Sequence, residues 1–274
     1  MRAAVIGHVE WVEFARVERV PRPGEIAHAA ETWEEPAGGG GVGVVQLLKL
    51  AGDATLFTAL GDDDLGHRAK RELEALGVRV ETTFRPVPQR WAFTFIDSRG
   101  ERTITTIGER LGPSGDDPLA WDELYGADAV YFCAGDVGAL RAGREAKALV
   151  ATSRVAGDLA GAHVPLDALV GSARDPAERY RPGEIQPPPG AIVLTAGSKG
   201  GTWVTSDGSR GTFAPAPLPG PVTDAYGCGD SFAAGLAFAL GKGQAIRDAV
   251  AFAARCGAAC LTGRGAFEGQ LRLV

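Results

Sequence analysis

The segment Thr223-Asp224-Ala225-Tyr226-Gly227-Cys228-Gly229-Asp230-Ser231-Phe232-Ala233-Ala234-Gly235 brings together residue types that can do chemistry at close spacing. Gly227 and Gly229 flank Cys228, and an apolar helical run from Phe232 to Leu240 follows at once. Glycine permits backbone angles that turn successive N–H groups toward one point. The start of a helix adds about half an elementary charge of positive potential. A turn of this kind binds phosphate. Asp230 at its mouth would repel a phosphate unless it has another task, and accepting a proton from an attacking hydroxyl is the task that fits. For an isolated Gly-x-Gly-Asp, a plain helix cap worth about 1 kcal/mol would be explanation enough.

Such a turn needs a rigid frame. Ala3-Ala4-Val5-Ile6-Gly7 reads as a short buried strand ending at a glycine, and residues 39–51 lead from glycines into a helix with an apolar face. Ala54–Leu60 is expected to be a strand and Leu65–Leu76 a helix ending at Gly77. Asp128–Cys133, Ala168–Gly171 and Ala191–Ala196 are further apolar runs of strand length, with a helical pattern over Ala139–Thr152. Alternating strand and helix signals predict an α/β chain with a mostly parallel central sheet covered on both faces. Residues 10–35 and 91–107 break the rhythm with β-branched and aromatic residues. There, Ala92–Ile96 and Thr103–Ile107 flank the turn Asp97–Glu101 as a hairpin, predicting antiparallel strands that form a small lid. Residues 183–190 read as a Pro-rich connector, and no repeat interrupts the single domain expected over 1–274.

Composition sets limits. The chain has 274 residues, 45% hydrophobic and 23% charged, enough to bury a sizeable core. A formal net charge of -6 with scattered basic residues offers no footprint for nucleic acid. No apolar run approaches the roughly 18 residues of a membrane span, and the N-terminus has no basic segment followed by an apolar one. A cytoplasmic protein is the expectation. Cys133, Cys228, Cys256 and Cys260 lack metal-ligand spacing, so Cys256 and Cys260 read as small buried residues and zinc is disfavoured. Asparagine is absent from the whole chain.

The string D-A-Y-G-C-G-D-S-F-A-A-G resembles the C-terminal signature of the PfkB (ribokinase-like) carbohydrate kinases, D-T-x-G-A-G-D-x-F-x-x-G, with Ala225 and Cys228 as departures. Gly38-Gly39-Gly40-Gly41-Val42-Gly43 before a helix, with Gly61-Asp62-Asp63-Asp64-Leu65-Gly66 after the next strand, is similar to the family's N-terminal signature. The glycine run also fits G-x-G-x-x-G, but a dinucleotide site needs a buried strand running into it, and Thr32-Trp33-Glu34-Glu35-Pro36 is none. The resemblance implies a ribokinase-like three-layer sandwich with a small β lid that excludes water. It also implies transfer of the γ-phosphate of ATP to a hydroxyl of a small sugar, polyol or nucleoside. In that reading Asp230 is the general base and Gly227, Cys228 and Gly229 form the anion cradle. Thr195-Ala196-Gly197-Ser198-Lys199-Gly200-Gly201 resembles the nucleotide-side turn, placing Thr195, Gly197, Lys199 and Gly200 with Gly265 at ATP, although alone it would pass for an ordinary turn. Asp175 is assigned to Mg2+ and Asp224, with the loop Gly263–Ala266, to a monovalent cation such as K+. Lid strands of such kinases pair across a homodimer, and Phe93, Phe95, Ile104 and Ile107 would supply an apolar face.

The same resemblance marks what is missing. Glu10, Val12, Gly39, Gly40 and Gly43 occupy the substrate positions, but Val12 stands where the family has an acidic residue and Gly43 where it has Asn. The N-x-x-E motif becomes Ser172-Ala173-Arg174-Asp175. Lost buried partners cost about 1 to 3 kcal/mol each, so ordinary sugars are expected to bind weakly unless Glu10, Trp11, Arg90, Arg102 or Glu109 compensates. Trp11 and the arginines are equally well explained by lid packing and solvation. A nucleoside kinase and a non-catalytic nucleotide- or metabolite-binding homologue remain the alternatives.

Overall fold

The computed structural model describes residues 1–273. In chain order the first half holds β1 (Ala3–Ile6), β2 (Glu10–Arg16), β3 (Glu31–Ala37), α1 (Gly38–Ala51), β4 (Ala54–Gly61), α2 (Asp64–Ala75), β5 (Arg79–Arg85), β6 (Trp91–Ile96) and β7 (Arg102–Ile107). The second half holds β8 (Ala129–Phe132), α3 (Val137–Gly143), β9 (Ala148–Thr152), α4 (Ala156–Leu159), β10 (Ala168–Ser172), β11 (Ala191–Thr195), β12 (Gly201–Thr205), β13 (Arg210–Phe213), α5 (Cys228–Gly241) and α6 (Ile246–Cys260).

Nine strands form the central sheet in the order β13-β12-β11-β10-β9-β8-β1-β4-β5. It is parallel from β11 to β5, and β12 and β13 add an antiparallel edge. Successive residues of β1 point to opposite layers. Ala3 and Val5 pack toward α1, α2, α5 and α6, while Ala4 and Ile6 pack toward the thinner layer of α3 and α4. This is the expected three-layer ribokinase-like sandwich. Among the described residues no helix is long and apolar enough to cross a membrane.

The helical reading of Ala139–Thr152 is corrected. Helix α3 stops at Gly143, where a Cβ would meet Ile6 Cδ1 at 2.9 Å, and Ala148–Thr152 is a strand between β8 and β10. All five strand residues are buried, so the polar alternation that distinguishes a half-exposed strand is missing.

The lid is a separate four-stranded sheet, ordered β3-β2-β6-β7. Its inner face carries Val12, Phe14, Ala92 and Ile96, which bury against Val42, Tyr226 and Ala266 of the body. Its register separates the apolar residues expected to share a face. Trp91 pairs with Ile107, so Phe93, Phe95 and Ile107 lie on the outer side, whereas Ile104 pairs with Thr94 on the inner side. Residues Glu31–Ala37 enter the glycine run from this half-exposed lid strand, not from the central sheet, which removes the dinucleotide reading.

Candidate active site

Two helix starts meet at the C-terminal edge of the central strands. Helix α5 begins after Gly227, whose φ of 74° is left-handed and whose Cβ would press on Val42 Cγ1 at 2.9 Å. No side chain caps α5, so among the described residues its first N–H groups, on Cys228, Gly229 and Asp230, have no acceptor. A Cβ on Gly229 would meet open space. At the start of helix α1 the Gly38 N–H donates to the Tyr226 hydroxyl at 3.2 Å and the Gly40 N–H to the His8 carbonyl at 2.9 Å. The helices touch through Asp230: a Cβ on Gly39 would lie 3.0 Å from Asp230 Oδ1 and 3.1 Å from Cys133 Sγ. Gly40 is equally tight, its Cβ position lying 2.6 Å from the His8 carbonyl oxygen. The glycine run is needed because backbone and carboxylate come this close.

Asp230 is half-buried, and its Oδ1 accepts a hydrogen bond from Tyr131 Oη at 2.7 Å. Burial raises its pKa, opposed by the Tyr131 hydrogen bond and then by the charges of Arg154, Arg102 and Arg110. His8 stands beside Gly39, with Nδ1 buried and unpartnered. Burial first, and then Arg110, Arg90 and Arg154, push its pKa down to about 3, so its ring is neutral at physiological pH. Glu10, buried at the start of the lid, accepts from Arg90 Nε at 2.6 Å and packs against Gly38. Beside these groups opens a cleft of about 750 Å³, lined by Arg90, Arg110, Ser114, Gly135 and Asp136 among others; Asp230 is outside its lining.

The remaining expected residues form two further groups. At the ends of β10 and β11, Thr195 Oγ1 donates to the Gly171 carbonyl at 3.3 Å, and the backbones of Ala173 and Thr195 are bonded. Gly197 and Gly200 have left-handed φ angles of 60° and 74°, and Lys199 is exposed between them. The Arg174 guanidinium carbon lies 3.0 Å from the Cβ position of Gly197. Next to this turn Asp175 Oδ2 pairs with Arg154 at 2.9 Å, and Glu178 Oε1 pairs with the same arginine at 2.6 Å. Glu178 Oε2 accepts from the Ser172 N–H at 2.7 Å, and burial raises the Glu178 pKa. Thus the missing Glu of the 172–175 motif is matched by a carboxylate six residues after Ser172, delivered by the 3-10 turn 176–178.

The other group joins lid to body. Asp224 is fully buried, accepting from the N–H groups of Tyr226 at 2.8 Å and Gly265 at 3.0 Å. Glu35 of β3 accepts from Ala266 N at 2.6 Å and reaches so close to Gly265 that a Cβ there would collide. Burial, with a smaller contribution from Asp224, pushes the Glu35 pKa up to about 7. Gly265 therefore lies between two carboxylates at the lid base. Val12 is buried inside the lid core, and Trp11 packs on the outer side beneath the Arg68 guanidinium, 4.2 Å from its ring centroid. Gly43 lies against the Tyr131 ring.

Sequence reasoning missed His8, Tyr131, Arg154, Glu178 and Glu35. Only Glu178 had a local signal, its short distance after Ser172. The others meet the site because of strand order, which no local pattern encodes.

A sequence profile described as pfkB family carbohydrate kinase matches residues 2–160 and 166–271. An ATP-dependent ribose-1-phosphate kinase of Halopiger xanaduensis is 38% identical over 84 residues, which are 30% of this chain and 27% of that protein. In that match the chain spans about a quarter of the length of its curated relative. The ribokinase of Thermotoga maritima superposes with a TM-score of 0.76 at 19% identity, covering 98% of this chain and 96% of that one. The Arabidopsis thaliana ribokinase complexed with ribose and ATP gives 0.73 at 18% identity, covering 98% and 95%. Matched almost end to end, with the glycine-rich start of α1 and the Gly-Cys-Gly-Asp start of α5 both in place, the chain belongs to the pfkB family of carbohydrate kinases.

Proposed function

We propose that this protein is an ATP-dependent phosphotransferase acting on a hydroxyl of a small sugar-like acceptor, with Asp230 as general base and residues 1–274 as one catalytic unit. The observation that carries the reading is the meeting of the uncapped start of α5 and the glycine-rich start of α1 at one half-buried carboxylate. Asp230 Oδ2 accepts no hydrogen bond among the described residues and is free to take the proton of an attacking hydroxyl. The N–H groups of Cys228 and Gly229 hold the charge that develops on the transferred group. Thr195 and the turn 197–200 hold the nucleotide. Asp175 and Glu178 beside that turn, both paired with Arg154, are the carboxylates that would hold Mg2+ together with the nucleotide's own phosphates, where the ion would lower their charge. Asp224, fully buried, and Glu35, half-buried, have no bonded basic side chain and would suit a monovalent cation such as K+.

The test is Asp230→Asn. Its turnover should fall by about 10²–10⁴-fold, roughly 3 to 5 kcal/mol, while ATP binding persists. Turnover at the parent rate would remove the base assignment. A panel of ribose, fructose, adenosine and inosine separates sugar from nucleoside acceptors. Intact ATP binding with no turnover on any acceptor, phosphorylated ones included, would favour a non-catalytic binding protein.

A second reading concerns the acceptor's charge. Arg110 lines the cleft and makes no hydrogen bond or ion pair among the described residues, and Arg90 lies beside it. An acceptor that already carries a phosphate would supply the missing anion, as the name of the Halopiger relative suggests. On that reading ribose 1-phosphate outcompetes ribose in the panel, and Arg110→Ala raises KM for the phosphorylated acceptor alone. The outer lid face of Phe93, Phe95 and Ile107 is proposed to pair across a homodimer.

A further inference from the structure

The phenol of Tyr131 touches the reacting carboxylate yet takes part in none of the steps above. Tyr131 is in β8, between α1 and α5, and only 1% exposed. Its ring fills the space a side chain on Gly43 would need, where a Cβ would come within 2.7 Å of Cδ1 and 3.0 Å of Cε1. Its hydroxyl reaches past the helix to donate to Asp230 Oδ1 at 2.7 Å. Across from the phenol, Gly39 leaves Oδ1 just enough room, since a Cβ there would lie 3.0 Å away.

We propose that Tyr131 is the positioning residue for Asp230, its hydroxyl fixing which carboxylate oxygen faces the acceptor, and that Gly43 is small in order to admit its ring. The proposal rests on the reading of Asp230 as the base. Asp230 held by Oδ1 on the phenol presents Oδ2 to an incoming hydroxyl in one orientation. Burial and the adjacent Asp230 charge push the phenol pKa well up, so Tyr131 stays a donor and never competes for the proton. Donation to a carboxylate favours its charged form. It therefore opposes the burial that raises the Asp230 pKa and favours the ionised form of a desolvated base. The charges of Arg154, Arg102 and Arg110 act on the same carboxylate. The neutral His8 ring and the Cys133 thiol, whose pKa burial raises, complete the wall, and the charge of Glu178 is also felt there. A side chain at position 43 directed at the acceptor is incompatible with this arrangement, so one hydroxyl from the strand takes the space a helix side chain would use.

The decisive measurement is the carboxyl titration of Asp230 by NMR in aspartate-labelled protein, assigned with Asp230→Asn. Aspartate labelling leaves Glu178 silent. Tyr131→Phe keeps the ring and removes the donor. The Asp230 midpoint should rise by about one to two pH units, a ten- to hundredfold change in acidity. The acid limb of kcat should move the same way, with KM for ATP unchanged. A tyrosine that only filled space would lower Tm without moving the midpoint, and an unchanged midpoint in folded Tyr131→Phe overturns the proposal. In the parent chain the Tyr131 hydroxyl proton should resonate far downfield and shift in Asp230→Asn, which tests the bond even if the phenylalanine variant does not fold; its indifference to that change would equally overturn the proposal. Full activity in Asp230→Asn would instead defeat the base reading, leaving the titration result to stand separately.

Discussion

Burial without a bonded cation perturbs several carboxyls here, and Glu35 shows the effect in the most accessible pH range. Its pKa is pushed up to about 7 in the fold, against an ordinary 4.5. The folded state therefore holds a proton that the unfolded chain has released between these values. Stability from this group must fall as pH rises through that window, by at most about 3 kcal/mol. His8 works the other way. Its folded pKa of about 3 means stability is lost as pH falls from about 6.5 toward 3. The two oppose each other in the parent protein, so the difference between parent and Glu35→Gln isolates the glutamate. Without potassium, Glu35→Gln should gain stability relative to the parent from pH 5 to pH 8, read from denaturant midpoints. A constant difference would mean that Glu35 keeps its ordinary acidity. The same residue scale explains why the acceptor positions look depleted in sequence. Val12 is a packing residue under the lid, and the group that touches Asp230 comes from Tyr131, ninety-nine positions away.

At the scale of elements, the site depends on how closely α1 approaches β8 and α5. The glycines at the start of α1 set that distance, and Gly43 bears on it most directly because the Tyr131 ring fills its missing side chain. Gly43→Ala should destabilise the fold by about 1 to 3 kcal/mol through overpacking, measured by chemical denaturation. A neutral result would show that α1 can move off the sheet without cost. Local pattern was sufficient for α1 and α5, since glycines followed by helical apolar spacing are short-range features. It was insufficient for β9, whose Ala-Leu-Val-Ala-Thr stretch is buried on both faces and follows a real helix closely. The hairpin of β12 and β13 was also not anticipated, although it closes the sheet edge next to the turn 197–200.

Across the whole molecule, the lid divides two environments. Its inner side seals Val12, Phe14 and Ile96 onto the body, while the outer side leaves Phe93 and Phe95 in edge-to-face contact beside a 39% exposed Ile107. Pairing of these faces predicts a dimer at micromolar concentration by light scattering, and a Phe93→Glu variant that is monomeric. A monodisperse parent monomer would contradict it. The sequence by itself determined the α/β architecture, the lid segments, the glycine cradle and Asp230 at its mouth, because each is written within a dozen or so neighbouring residues. The absence of asparagine excluded that residue's carboxamide from every site, leaving glutamine as the source of any side-chain amide. What stood in for the missing groups was decided by tertiary structure alone. Strand order brings Tyr131 and His8 to Asp230, and a 3-10 turn brings Glu178 back to Arg154, while lid docking places Glu35 over Gly265. Their proton affinities follow from burial and nearby charge, which exist only once the chain has closed around them.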